Sequence, residues 1–159
     1  MQIAESHNTL RQDSKHRDFT ANALYLPISY EGPEEVVDLV DGKKDIERRL
    51  IVANGSPKER IEESPIRMLR AISLAARTGF SIEMSLLAEI SANINLLENV
   101  PVEAIRKEFN TILLSEKPSK YLTILQSLGA LKIFAPELDA CYKVGQDPKY
   151  HDYDVFVHS

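Results

Sequence analysis

The sequence predicts an α+β fold that is mainly helical, with a small sheet near the start and a helical bundle after it. Residues 24–52 contain β-branched runs interrupted by Gly and Pro, whereas the sequence after Glu59 follows a helical period. The change of pattern divides the chain into residues 1–55, residues 56–140 and a tail of residues 141–159. With 159 residues, the chain is long enough to bury one full hydrophobic core.

The predicted sheet starts with a hairpin. Residues 25–30 and 35–40 have the composition of strands, and Glu31-Gly32-Pro33 supplies the turn between them. Because Pro27 has no N–H to donate, the first strand is expected at a sheet edge or at a strand start. Two short elements follow, a charged helix over Lys44 to Arg49 and an apolar strand over Leu50 to Ala53.

The clearest predicted helix runs from Pro65 to Thr78. Ser64 occupies the N-cap position, Pro65 the first helical position, and Gly79 ends the helix. At about 100° per residue, one face of this helix is apolar and the opposite face is basic. The apolar face contains Met68, Ala71, Ile72, Ala75 and Ala76, and the basic face contains Arg67, Arg70 and Arg77. Short connections then predict a compact bundle, with further helices over Ile82 to Asn93, Pro101 to Leu114 and Pro118 to Leu128.

Composition limits the classes of partner. A net charge of -5 argues against a uniformly basic surface, so any RNA contact must come from a local stripe of Lys and Arg. Cys141 is the single cysteine, which excludes an internal disulfide framework. Since no apolar run approaches the roughly 20 residues of a membrane span, we expect a cytoplasmic protein without a membrane partner.

Two short runs contain the residues suited to nucleotide chemistry. In the first, Lys15 to Leu24, an arginine able to contact a triphosphate precedes a carboxylate able to accept hydrogen bonds from ribose hydroxyls, at Arg17 and Asp18. From that pair alone, exposed charges before an apolar helical segment over Phe19 to Leu24 are the commoner interpretation. The second run, Glu62 to Ala71, includes Glu63-Ser64-Pro65-Ile66-Arg67-Met68-Leu69-Arg70.

Together these runs resemble the nucleotide-handling motifs of the class II tRNA nucleotidyltransferases, namely the CCA-adding enzymes, and of the bacterial poly(A) polymerases. The resemblance implies that Arg17 and Asp18 contact the incoming nucleotide and that Asn22 helps to order the pocket. Where the family usually has a second arginine, this chain has His16. The parts of the chain would then be the end of a nucleotidyltransferase head, a helical neck and body, and the start of a tail region.

The second run is similar to the family pattern Glu-Asp-x-x-Arg-x-x-Arg, in which the aspartate and the first arginine hydrogen-bond the edge of the incoming base. Arg67 matches that first arginine and Arg70 the second, while Ser64 replaces the aspartate. A serine hydroxyl is shorter and neutral, so base discrimination is expected to be weaker or differently arranged. The nucleotide-binding residues implied by the resemblance are therefore Arg17, Asp18, Asn22, Ser64, Arg67 and Arg70.

Other parts of the chain resemble supporting elements of the same enzymes. Residues 38–46 are similar to a linking motif between head and neck, in which Asp38 and Gly42 form either a hinge or a plain strand-turn-helix. Arg106 and Glu108 either brace the nucleotide-binding helix together or form an ordinary surface ion pair with each other. The candidate RNA-binding residues are Arg77, Arg106, Lys117 and Lys120.

In this family, a Gly-Gly followed by Asp-x-Asp upstream of the first run holds the magnesium ions. Residues 1–14 contain neither element, so we expect no catalytic or metal-binding residue in this chain, which would be a piece of such an enzyme and inactive alone. His158 in the tail is one candidate metal ligand without the later His-Asp pair that some family members add.

The resemblance implies a parent enzyme that transfers CMP and AMP from CTP and ATP to tRNA 3′ ends with two Mg²⁺ ions. A poly(A) polymerase or an enzyme that adds only A shares the same motifs and stays an alternative. A non-catalytic RNA-binding module and a plain helical interaction domain are rivals from other classes. Neither the oligomeric state nor the choice among these additions follows from the sequence.

Overall fold

The computed structural model describes residues 10–29, 32–33 and 35–141. Its fold is mainly helical with short strands, as predicted. Residues 10–16 form helix α1, and a single 3-10 turn, Thr20–Asn22, follows it. The other helical elements are α2 (Gly42–Glu47), α3 (Pro57–Glu63), α4 (Arg67–Thr78), α5 (Met84–Asn93), the 3-10 segment Ile94–Asn99, α6 (Val102–Leu113), α7 (Pro118–Ser127), α8 (Ala130–Phe134) and α9 (Pro136–Ala140).

The predicted hairpin is present as two antiparallel ladders. Strand β1 (Leu24–Tyr25) pairs with β4 (Val37–Asp38), and β2 (Ile28–Ser29) pairs with β3 (Gly32–Pro33). The register shifts by one residue between the two ladders, because two residues (26–27) separate β1 from β2 whereas three (34–36) separate β3 from β4. The predicted turn was wrong in one respect, because Gly32 and Pro33 belong to a strand rather than to the turn.

The remaining strands join the beginning of the chain to its helical part. Strand β5 (Leu50–Ile51) pairs in parallel with β6 (Ser81–Ile82). The predicted helix start at Ile82 was therefore wrong, since Ile82 lies in β6 and the N–H of Glu83 donates to the carbonyl of Ile51 at 3.0 Å. Helix α5 begins two residues later, where the Glu83 side chain accepts from the N–H of Leu86.

Helix α4 lies at the centre of the core. The five residues of its predicted apolar face are all buried, and Leu69, Ser73 and Leu74 are buried as well. Packing against α6 and α7 accounts for part of this burial, and the hydroxyl of Tyr121 donates to the carbonyl of Ala75 at 2.8 Å. Gly79 ends the helix in the left-handed conformation predicted for it, with φ at 70°.

The predicted start of this helix was wrong. Ser64 ends α3 in an extended conformation, and its carbonyl accepts the N–H of Arg67 at 3.0 Å, so α4 begins at Arg67. The Ser-Pro capping signature occurs twice in this region, and the first copy, Ser56-Pro57, is the one that opens a helix.

Helix α2 packs directly on the 3-10 turn. A Cβ on Gly42 would lie 2.3 Å from the carbonyl oxygen of Thr20, so a glycine is required by this close approach. The Thr20 hydroxyl also donates to the Asp45 carboxylate at 2.7 Å. These contacts fix the turn that follows Arg17 and Asp18.

Asp38 organises the start of α2. Its carboxylate accepts the N–H groups of Val40, Gly42 and Lys43 at 3.1, 3.0 and 2.8 Å. Burial opposes ionisation, but the three backbone hydrogen bonds outweigh it and lower the pKa of Asp38 below its ordinary value.

We predict that Gly42→Ala lowers the free energy of unfolding by about 1–3 kcal/mol, because the added methyl group overpacks the contact with Thr20. Urea unfolding of the two proteins measures the difference. Lys44→Ala is the matched control, since Lys44 is exposed on the same helix. Equal stability of Gly42→Ala and the wild type would contradict the close approach.

The lowered pKa of Asp38 predicts an acid-sensitive contribution to stability. Its carboxylate stabilises the fold at pH values above the unfolded pKa of about 3.9 and loses this effect as the pH falls through the lower folded pKa. The gap in unfolding free energy between wild type and Asp38→Asn should therefore stay constant near neutrality and shrink below about pH 4. A gap that widens on acidification would refute the assignment.

Candidate nucleotide-binding site

A polar cleft of about 640 Å³ lies between the end of α1, the 3-10 turn and α4. It brings together four of the six residues predicted to bind a nucleotide, whereas Ser64 and Arg67 do not line it. All of its lining residues are polar or charged: Asp13, His16, Arg17, Asp18, Asn22 and Arg70.

Asp18 is the buried centre of this cleft, with 8% of its surface exposed. Its Oδ1 accepts a hydrogen bond from Arg67 Nε at 2.7 Å. Its Oδ2 lies 2.8 Å from Arg70 Nη2, but the contact is an ion pair without hydrogen-bond geometry. Oδ2 is therefore a buried acceptor that has charge compensation and no hydrogen bond.

Two backbone connections hold Asp18 in place. The N–H of Asn54 donates to the Asp18 carbonyl at 3.0 Å, and the N–H of Thr20 donates to the carbonyl of Val52 at 3.1 Å. Between them, buried Phe19 forms an antiparallel bridge with Ala53. The predicted helical segment Phe19 to Leu24 was wrong, because this pairing leaves room for a single 3-10 turn.

The guanidinium of Arg67 joins three elements. Besides Asp18, it donates to the Arg60 carbonyl at 2.8 Å, to Glu63 Oε2 at 2.7 Å and to the His16 carbonyl at 3.4 Å. Burial alone would lower the pKa of Arg67, but its hydrogen bonds to Glu63 and Asp18 raise it instead. Arg67 is thus a permanent cation that ties α1 and α3 to α4.

Arg17 lies at the rim of the cleft with 49% of its side chain exposed. Its Nη2 is 2.8 Å from Asp13 Oδ2, which also accepts the Tyr25 hydroxyl at 2.8 Å. These hydrogen bonds, from Arg17 first and then from Tyr25, lower the pKa of Asp13. The Arg17 side chain is thereby held over the entrance in an exposed position.

The other two predicted residues differ in their surroundings. Asn22 is exposed at the end of the 3-10 turn and lines two adjacent clefts. Ser64 is half-buried at the end of α3, and its hydroxyl makes no hydrogen bond within the described part of the chain.

Two further clefts continue from the first along α4. A cleft of about 210 Å³ shares Asn22 and Arg70 with it, and a cleft of about 630 Å³ shares Arg77 and Thr111 with the second. Three predicted RNA-binding residues, Arg77, Lys117 and Lys120, line the cleft at the far end of this path. We call the three clefts the basic trough; its lining cations are Arg17, Arg49, Arg70, Arg77, Lys107, Lys117 and Lys120.

Sequence reasoning missed Arg49 and Lys107 and proposed Arg106, which lines none of the three clefts. For Lys107, the helical period was a signal that could have found it, because Lys107 and Thr111 lie one turn apart on the face of α6 that meets α4. Glu108 on the same helix accepts the hydroxyl of Ser73, so it contacts α4.

Another cleft, of about 560 Å³, shares Lys120 and Tyr121 with the far end of the basic trough but is mainly apolar and lies on the side of Phe80, Met84 and Leu87. Of the predicted functional residues, it contains Lys120 alone. We therefore do not assign the nucleotide to it.

The described residues contain no group of His, Cys, Asp and Glu side chains arranged to hold a metal ion. Asp18 is already paired with two arginines, which disfavours it as a magnesium ligand. His158 lies outside the described residues. Within the same part of the chain, no helix is long and apolar enough to cross a membrane.

We predict that the Asp18–Arg67 contact is energetically stronger than the Asp18–Arg70 contact. A double-mutant cycle with Asp18→Ala and Arg67→Met should give a coupling of about 1.5–3 kcal/mol, as for a charged hydrogen bond with little exposure. The cycle with Arg70→Met should give less than about 1 kcal/mol, because 48% of the Arg70 side chain is exposed. Urea unfolding of the variants measures both, and equal couplings would contradict the geometry.

Two family models match the chain. Residues 1–52 match the model described as "Poly A polymerase head domain", and residues 79–142 match "Probable RNA and SrmB- binding site of polymerase A". The CCA-adding enzyme of Limosilactobacillus fermentum is 46% identical over 108 residues, which cover 68% of this chain and 26% of that enzyme. The CCA-adding enzyme of Lactococcus lactis is 37% identical over 129 residues, which cover 81% of this chain and 31% of that enzyme.

Solved structures of CCA-adding enzymes share the fold of this chain. The Bacillus stearothermophilus CCA-adding enzyme in complex with CTP matches with a TM-score of 0.70 and 28% identity, over 84% of this chain and 35% of that one. The Thermotoga maritima CCA-adding enzyme complexed with tRNA matches in fold with a TM-score of 0.71 at 23% identity, over 87% of this chain and 32% of that one. The chain thus spans about a quarter to a third of the curated relatives' length. It belongs to the family of the poly(A) polymerases and the CCA-adding tRNA nucleotidyltransferases.

Proposed function

We propose that this chain is the nucleotide-recognition and RNA-contact part of an enzyme that adds CMP and AMP from CTP and ATP to the 3′ ends of tRNA. The observation that carries the proposal is the polar cleft, which combines Arg17, Asp18 and Asn22 from the first run with Arg70 from the second. Neither run alone would make an anion-binding cleft with a buried carboxylate.

The residues of the cleft suit the two ends of a nucleotide. Arg17 and Arg70 are each about half exposed, so they are available to a triphosphate without breaking the core. Asp18 Oδ2 accepts no hydrogen bond in the structure, and a ribose hydroxyl would supply the missing donor once Arg70 turns from Oδ2 toward the triphosphate. Asn22 would complete the wall beside them.

Base recognition would be shared by Ser64 and Arg67 beside the polar cleft, outside the part that its lining residues enclose. The guanidinium of Arg67 has one more N–H than its four hydrogen bonds use, so one donor is left for the base. The hydroxyl of Ser64 can accept from an exocyclic amino group or donate to a ring nitrogen. Because the serine hydroxyl is shorter than an aspartate side chain and neutral, weaker base discrimination is expected of this pair.

The basic trough would hold the RNA backbone. Arg77, Lys117 and Lys120 line its far end, and Arg49 and Lys107 add two cations that the sequence analysis did not propose. Arg106 would contribute a peripheral phosphate contact on the exposed side of α6. Such contacts predict binding that weakens steeply with salt.

Magnesium chemistry is proposed for another part of the longer enzyme. Because the described residues do not fit a two-metal site, we derive no catalytic step from this chain. The chain would comprise part of the head in residues 1–55, the neck and body in residues 56–140 and the start of a tail in residues 141–159. The cytoplasmic location expected from the sequence stays a prediction.

We predict that the isolated chain binds ATP weakly and that Arg17→Met or Arg70→Met weakens binding by about tenfold, the effect of losing one charge-assisted hydrogen bond. NMR titration with ATP measures the dissociation constants. Lys58→Met is the matched control, because Lys58 is exposed on α3 and pairs with Glu62 at 3.9 Å. No ATP binding, or equal weakening by all three substitutions, would reject the cleft as the nucleotide site.

Primer extension by a longer protein that contains this segment and a Gly-Gly…Asp-x-Asp head tests the reaction. We expect ordered addition of C, C and A to tRNAs that end before CCA, at C and at CC, when each nucleotide is supplied singly with magnesium. Addition of A alone, or an untemplated A tail, would identify the alternative activities. RNA binding without any extension would favour the non-catalytic RNA-binding module.

A further inference from the structure

The end of α1 is capped by side chains from three later segments of the chain. The carbonyls of Ser14, Lys15 and His16 are consecutive, and the last carbonyls of a helix have no partner within it. They accept hydrogen bonds from the side chains of Asn54, Arg60 and Arg67, in that order. Three successive carbonyls at this helix end are therefore held by side chains from outside the helix.

Asn54 fixes both sides of the stretch that enters the cleft. Its side-chain amide donates to the Ser14 carbonyl, and its backbone N–H donates to the Asp18 carbonyl at 3.0 Å. The residue is 8% exposed, so both bonds are shielded from water. A single buried residue therefore spans the backbone from Ser14 to Asp18.

Arg60 acts on the carbonyl between them. Its Nη1 donates to the Lys15 carbonyl at 2.6 Å, and its Nη2 pairs with Glu63 Oε1 at 2.9 Å. The side chain is 15% exposed. Because the carbonyl end of a helix is its negative pole, a guanidinium is well placed there.

Neither Asn54 nor Arg60 lines the polar cleft, so neither would contact a nucleotide there. The capped carbonyls nevertheless lie immediately before Arg17 and Asp18, which do line it. Any displacement of the end of α1 would move these two side chains relative to Arg70 on α4.

We propose that Asn54 and Arg60 are positioning residues of the nucleotide cleft, which act by holding the end of α1. The inference rests on the proposed function, since it concerns nucleotide binding at the same cleft. It adds two residues from outside both sequence runs and a route by which α3 sets the geometry of the cleft.

The test compares Arg60→Met and Asn54→Leu with the wild-type chain, using NMR titration with ATP and amide hydrogen exchange. The two variants share only the loss of a cap on α1. Each should weaken ATP binding by roughly tenfold, since small displacements of aligned groups cost up to about a hundredfold. Each should also speed exchange of the Arg17 amide, which donates to the Ser14 carbonyl at 3.1 Å, with little change in α7.

Three comparisons distinguish a positioning role from a general loss of stability. Arg60→Lys keeps a donor and should recover part of the affinity, and Lys58→Met on the same helix should bind like the wild type. In a background that combines Arg17→Met with Asp18→Asn, Arg60→Met should weaken ATP binding little further, because both side chains that Arg60 positions are already altered.

Unchanged exchange at Arg17, or normal ATP affinity despite faster exchange, would overturn the proposal. Equal acceleration throughout α7 would also overturn it, because it would indicate loss of stability alone. A wild-type chain that binds no ATP is a different result, which refutes the proposed function and with it the inference.

Discussion

The Asp18–Arg67 ion pair is the interaction on which the assembly of the site depends. A carboxylate with 8% exposure is costly to bury without a partner, and Arg67 on α4 supplies it at 2.7 Å. Arg67 in turn is buried at an acceptable cost because its other donors reach the end of α1 and α3. The buried carboxylate of the first run and the guanidinium of the second therefore compensate each other's charge, and the polar cleft lies where the two runs meet.

Helix α4 connects this site to the rest of the molecule. Its buried faces pack into the core, while Arg70 and Arg77 remain exposed along the basic trough. Contacts from the helical bundle fix its orientation, through Glu108 to Ser73 and Tyr121 to the Ala75 carbonyl. The position of these cleft-lining cations is thus determined by hydrophobic packing on the other sides of the same helix.

Periodicity and motif were sufficient for the main features and insufficient for features that depend on distant neighbours. The burial of α4 followed from its 3.6-residue period, but a two-residue strand such as Ser81–Ile82 is too short to interrupt the helical pattern around it. The Ser-Pro signature led to a wrong helix start at Ser64, whereas the copy that opens a helix, Ser56-Pro57, was not used, since the same local chemistry fits both places. By sequence, Gly42 could belong to a hinge or to a plain strand-turn-helix, and its packing against the Thr20 carbonyl, which leaves no room for a Cβ, appears only in three dimensions.

In the candidate site, too, the sequence predicted some residues and missed those whose role depends on distant neighbours. Arg17, Asp18, Asn22 and Arg70 were grouped by resemblance, and they lie together in one cleft. Asn54 and Arg60 had no recognisable signal, because their contacts are to backbone carbonyls that any sequence would provide. Resemblance identified side chains that line a common cleft better than the side chains that hold the backbone behind them.

The parallel pairing of β5 with β6 has a consequence for folding during synthesis. Ile51 lies opposite Ile82, so the segment that matches the head domain is completed by a strand from beyond α4. At about 5–20 residues per second, a ribosome needs roughly 2–6 s to add the stretch between these two residues. During that interval the edge of β5 is unpaired, and the emerging head is exposed to wrong strand pairing until α4 and β6 have followed it.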